Sequence, residues 1–127
     1  TSVDIGNSVT SISKDAFSDN ELTNVKIPNS VTNIDSYAFA YNQLTSVVIP
    51  DSVTTIGEGA FYYNELTEII FESGTPPTIQ SATFDNNPNL LTQGTIYVPD
   101  NSVDTYKEAT NLTQFADIIK PISERPE

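Results

Sequence analysis

The sequence predicts an α/β repeat solenoid, a coil with one short strand in each ~22-residue repeat and a small helical cap at its C-terminal end. Three observations carry this. The stretch from Thr23 to Ile34, TNVKIPNSVTNI, returns as TSVVIPDSVTTI from Thr45 to Ile56, an offset of 22 residues. Whole columns recur in the same frame: Thr1, Thr23, Thr45 and Thr67; Phe17, Phe39, Phe61 and Phe84; Asn20, Asn42, Asn64 and Asn87. Three of the strand-like segments also end on a proline (Pro28, Pro50 and Pro99), which has no N–H to donate and stops a strand.

The elements follow in order. Residues 1–94 are the repeat array, about four coils. In the clearest repeat, Leu44, Val47 and Ile49 match the L-x-x-L-x-L pattern of leucine-rich repeats. Val47 and Ile49 point to one side of a short strand, and Ser46 and Val48 to the other. After Pro50, the pair Asp51 and Ser52 turns the chain, and Val53, Ile56, Ala60 and Phe61 line the return path. Gly57 and Gly59 add conformational freedom there, but Ser13, Asp15, Asp35 and Tyr37 fill the equivalent positions, so glycine reads as dispensable in those turns. The phenylalanine column reads as a core spine, and the asparagine column as a ladder that satisfies turn backbone groups. The fourth repeat takes one extra residue near Gly74, Thr75, Pro76 and Pro77, because Phe84 follows Phe61 by 23.

Residues 95–122 read as a closing strand and helical cap. Thr95 to Pro99 repeats the strand ending. Asn101 or Ser102 then opens a helix with Val103, Tyr106 and Ala109 on one face, and a second turn holds Phe115, Ile118 and Ile119. Residues 123–127 read as a tail. The N-terminal edge has no comparable cap and begins within a repeat, which suggests a piece of a longer protein and an edge open to end-to-end pairing.

Composition narrows the partners. Seventeen Asp and Glu against five Lys and Arg give a formal charge of −12. Clustered basic residues are what phosphate backbones and anionic lipid surfaces require, so neither nucleic acid nor a membrane surface is expected. No stretch reaches the ~20 apolar residues of a membrane span, and none reads as a signal peptide. The chain has no Cys and no His, the usual thiolate, zinc ligands and general base. Glu65 with Glu68, and Asp19 with Glu21, are close in sequence, but no base, nucleophile and oxyanion site accompany them. Neither an EF-hand-like loop nor a calcium-binding nonapeptide occurs. Asn111, Leu112 and Thr113 form a sequon to which we attach no role. No catalytic residue, metal site or cofactor is expected.

The outward strand positions are the candidate binding face, since solenoids bind through extended strand surfaces. One column is Ser2, Asn24, Ser46, Glu68 and Thr95; its neighbour is Asp4, Lys26, Val48, Ile70 and Tyr97. Val48, Ile70 and Tyr97 are expected to form an exposed apolar stripe rimmed by Ser46, Glu68 and Thr95. The predicted binding residues are Lys26, Ser46, Val48, Glu68, Ile70 and Tyr97. Tyr41, Tyr62 and Tyr63, before Asn64, are a secondary candidate, with packing between coils as their competing role.

The unit from Ile49 to Phe61, IPDSVTTIGEGAF, followed by Asn64 and Leu66, resembles the BspA-like class of leucine-rich repeats. Ile96 to Pro99, Val103 with Tyr106, and Ile119 to Ile122 are similar to the C-terminal end of those arrays. The resemblance covers residues 1 to 122. It implies a right-handed solenoid with one strand per coil, a bacterial secreted or cell-surface protein, and no catalytic residues. The function it implies is protein binding, including adhesion to host matrix or to neighbouring cells. The alternatives are a structural spacer that projects other domains, and a calcium-stabilised carbohydrate or peptide binder.

Overall fold

The structure, a computed structural model, describes residues 2–126. Thr1 of the threonine column, Glu127 of the tail and the side chain of Ser2 lie outside the described residues. In chain order the strands are β1 (Ser2–Asp4), β2 (Ser11–Ile12), β3 (Asn24–Lys26), β4 (Asn33–Ile34), β5 (Ser46–Ile49), β6 (Thr55–Ile56), β7 (Glu68–Phe71), β8 (Thr78–Ile79), β9 (Thr95–Val98) and β10 (Ile119–Pro121).

All pairing is parallel, as it must be when every strand is reached by a full coil of chain. Strands β5, β7, β9 and β10 form one sheet, and β1 pairs with β3. Ser46 lies beside Glu68 at the 22-residue offset, and Glu68 beside Thr95 across a longer stretch of 27 residues that takes in Gly74. The extra residue near Gly74 is therefore absorbed outside the strands.

A second sheet corrects the expectation of one strand per coil. Strands β2, β4, β6 and β8 pair in parallel through Ser11, Asn33, Thr55 and Thr78. Each is two residues long, too short for alternation to show as a period. Threonine hydroxyls reinforce it: Thr32 Oγ1 and Thr54 Oγ1 each donate to the carbonyl one coil back, both at 3.1 Å.

The core lies between the two sheets and the turns. Phe17, Phe39, Phe61 and Phe84 stack with their rings nearly parallel and their centroids 5.4, 5.3 and 5.7 Å apart. The asparagine column is a ladder. Asn64 Nδ2 donates to the Phe39 and Phe61 carbonyls at 3.0 and 3.1 Å, and its Oδ1 accepts from Leu44 N at 3.0 Å. Asn42 and Asn87 repeat the arrangement. Each asparagine thus joins two coils and closes a turn whose backbone groups have no helix or sheet partner.

The turns show why glycine is tolerated rather than required at one column. Asp15, Tyr37, Gly59 and Ala82 are all left-handed, with φ of 60°, 56°, 62° and 60°. The backbone demands the conformation in every coil, and three side chains accept it at a cost. Gly57 differs from its counterparts: a Cβ there would sit 2.5 Å from Ser36 N.

A short helix α1 (Leu90–Gln93) precedes β9, and α2 (Val103–Lys107) follows it, flanked by 3-10 turns at Asp100–Ser102 and Thr113–Ile118. Tyr106, Leu112 and Phe115 from this segment are buried in the common core. Phe71 packs on Tyr106 at 5.1 Å, and Phe84 meets Phe115 edge-on at 6.3 Å. Ser102 precedes α2 as expected, but it makes no capping bond; its Oγ donates to Gly74 O at 2.8 Å.

Candidate functional site

Strand register decides which side chains face outward. In β5 the exposures alternate, Ser46 and Val48 outward, Val47 and Ile49 inward. Lys26 and Ser46 are exposed, and Val48 is 42% exposed. Ile70 and Glu68 are half-buried. Tyr97 is only 8% exposed, so the apolar stripe stops short of the third residue expected in it.

The reason is the C-terminal segment. β10 adds beside β9 with Lys120 opposite Tyr97, so β9 is an inner strand rather than the end of the sheet. A 3-10 turn at Ile122–Glu124 then brings Arg125 across the face. Its Nε donates to Glu68 Oε2 at 2.7 Å and its Nη2 to Glu68 Oε1 at 2.9 Å, a bidentate pair. The hydrogen bond and charge of Glu68 hold the Arg125 guanidinium above its ordinary range, and the Tyr97 phenol adds in the same direction. Sequence reasoning missed this contact. The signal was faint: Arg125 is one of only five basic residues, in a stretch with no apolar pattern.

What remains open on the strand face is a shallow apolar groove of about 440 Å³ lined by Val48, Ile70, Phe71, Glu72, Pro99 and Ile122. Ile122 is 38% exposed at its edge. Next to it, where β3 is not hydrogen-bonded to β5, lies a larger and more polar cleft of about 710 Å³ that includes Lys26, Asn29, Ser30, Val48 and Glu72. The Ser30 hydroxyl is buried there without a partner among the described residues. Lys26, Ser46, Val48, Glu68 and Ile70 therefore share one surface, with Glu68 already engaged.

The tyrosines occupy the turns. Tyr41 and Tyr63 stack with centroids 5.3 Å apart, and Tyr62 packs edge-on to both Tyr41 and Tyr37, at 5.6 and 6.2 Å. Asn86 Nδ2 donates to the Tyr62 hydroxyl at 2.9 Å. The rings pack between coils, and two of them stay open: Tyr41 is 48% exposed and Tyr63 56%. The neighbouring Glu58 carboxylate, followed by partial burial, raises the Tyr37 phenol above its ordinary pKa. A cleft of about 410 Å³ beside the rings is lined by Asp19, Glu21, Tyr41, Asn42, Gln43, Tyr63 and Glu65.

Of the acidic pairs singled out from sequence, Asp19 and Glu21 share this cleft with Glu65, while Glu68 stands on the strand face with Arg125. Among the described residues no group of three or more His, Cys, Asp or Glu is placed to hold a metal ion. The sequon asparagine is committed to the fold: Asn111 Nδ2 donates to Ile79 O at 2.8 Å. No described helix is long and apolar enough to cross a membrane.

A family model described as the BspA type leucine rich repeat region matches residues 1–113 in six copies. Comparison with curated proteins gives no match. Leucine-rich-repeat domains are generally non-catalytic modules that mediate protein–protein interaction, and those of this class are typically surface or secreted.

Proposed function

Because the chain belongs to the BspA-type leucine-rich-repeat family, we propose that it is a non-catalytic protein-binding module of a secreted or cell-surface bacterial protein, serving adhesion to host or neighbouring-cell proteins. In this reading residues 1–94 are the repeat array, residues 95–122 close it as a cap, and the partner meets the strand face. One observation carries the site: the groove at Val48 and Ile70 stays open although the adjoining Tyr97 is buried. Exposed apolar surface rimmed by polar residues is a common mark of a protein contact. Lys26 and Ser46 supply that rim.

The test is binding of the purified chain to immobilised extracellular-matrix proteins, compared with the double variant Val48→Ser and Ile70→Ser. Val48 and Ile70 are partly exposed, so the fold tolerates the change. The expected result is at least a tenfold loss of affinity with an unchanged circular dichroism spectrum. Binding that ignores both substitutions overturns the site, and an absence of binding to every matrix protein favours the spacer role instead.

A further inference from the structure

We propose that the tyrosine ridge is a second docking surface, built for a basic polypeptide segment of a protein partner whose Arg or Lys side chains enter the cleft beside Tyr41 and Tyr63. The inference is independent of the strand-face groove.

Three features of the ridge converge. The first is charge. The cleft holds three carboxylates, Asp19, Glu21 and Glu65, and no Lys or Arg lines it. None of the three has an ion-pair partner among the described residues, where the one salt bridge is Arg125 with Glu68. The second is aromatic surface. Tyr41 and Tyr63 are about half exposed and form one stacked unit at the wall of the same cleft. A guanidinium or ammonium group is drawn to a tyrosine face, and a guanidinium also takes a carboxylate in a bidentate fork. A neutral sugar also stacks on tyrosine, but it leaves three carboxylates without a purpose.

The third is the backbone. Asp19, Tyr41, Tyr63 and Asn86 occupy one column and are all left-handed, with φ between 58° and 62°. Asp and Asn accept that conformation readily, whereas a bulky aromatic residue is an outlier there. Twice the chain places an exposed tyrosine where Asn or Gly is easier to accommodate. Packing alone does not explain the choice, since the buried Phe column already carries the stacking between coils.

The experiment titrates a hexa-arginine peptide into the protein by calorimetry at low and physiological salt. A chain of charge −12 attracts any polycation, so the variants must separate a site from a field. Tyr41→Asn with Tyr63→Asn leaves the net charge unaltered and suits the left-handed backbone. It is expected to keep the melting temperature and to weaken binding about tenfold. Glu21→Gln with Glu65→Gln is expected to weaken binding about tenfold, against less than threefold for Asp51→Asn with Asp104→Asn, which removes the same charge from exposed positions elsewhere. Equal losses from the two charge variants, or full binding by the tyrosine variant, overturn the proposal. So does maltohexaose binding that depends on Tyr41 and Tyr63 while the peptide is indifferent to them. If the tyrosine variant fails to fold, the paired charge variants still decide.

Discussion

The Tyr106 hydroxyl donates to the Ser73 carbonyl at 2.6 Å from a fully buried ring. Ser73 begins the stretch that carries the extra residue of the fourth coil, and Ser102 Oγ grips the next residue, Gly74. The segment after β9 is thus fastened to an irregular turn of the array. Tyr106→Phe keeps the ring and removes the donor. It is expected to lower unfolding stability by about 1–2 kcal/mol, the cost of a lost hydrogen bond with a carbonyl left short of a partner. Urea denaturation measures it, and an unchanged midpoint would contradict this account.

The same phenol makes stability depend on alkaline pH. Burial holds Tyr106 well above the ordinary tyrosine pKa of 10.0. Above pH ~10 the unfolded chain has released this proton and the folded chain retains it, so stability falls as pH rises, by about 1.4 kcal/mol per unit from this group. Its contribution is complete below pH ~10 and is lost as pH climbs toward the folded value. Denaturation midpoints between pH 9 and 11.5 are expected to fall in the wild type and to flatten in Tyr106→Phe.

The asparagine ladder gives a graded prediction. Asn64 is 2% exposed and makes three hydrogen bonds to two coils. Asn20, in the same column, is exposed, and its Nδ2 donates to Ser18 O. Asn64→Ala is expected to cost about 3 kcal/mol or more, because buried backbone groups lose their partner, and Asn20→Ala about 0.5 kcal/mol. Thermal melts of the two variants check the ratio.

The same columns show how far the sequence could be read. Phe17 to Phe84 and Asn20 to Asn87 recur at a fixed spacing, and a stack of coils is the one arrangement that brings such positions into contact. The second sheet stayed hidden because Asn33 with Ile34, or Thr55 with Ile56, is too short to show alternation. Its cause was nonetheless written in the threonines at 10, 32 and 54, which bond coil to coil.

Arg125 and Glu68 sit 57 residues apart, and no periodicity links them. The expected stripe failed at Tyr97 for a related reason: register told which way Tyr97 points, but not that β10 adds beside β9 there. Exposed ion pairs add little to stability, so Glu68→Gln is expected to cost under about 1 kcal/mol. Its larger effect is local. Cleavage by a glutamate-specific endoprotease after the exposed Glu124 is expected to quicken several-fold, since the bidentate pair, together with the Ser123 N–H donated to Asp100 Oδ1, holds the turn at 122–124 to the strand face. Mass spectrometry of timed digests reads this out, and equal cleavage rates would show that the segment is held by something else.

The left-handed column lets backbone strain be measured directly. Gly59 has φ of 62°, and a Cβ there would lie 2.5 Å from the Tyr37 ring, so Gly59→Ala meets both strain and a clash. Ala82 holds the same conformation, at 60°, with its methyl already accommodated. An alanine in this region costs about 1–2 kcal/mol, and the extra freedom of glycine in the unfolded chain returns about 0.5–1 kcal/mol of that. Ala82→Gly is therefore expected to raise stability by up to about 1 kcal/mol, and Gly59→Ala to lower it by 2 kcal/mol or more, as a left-handed alanine also pushes on a ring packed against Tyr62. Opposite shifts in melting temperature are the expected outcome. If both variants move the same way, the column is not what sets the turn.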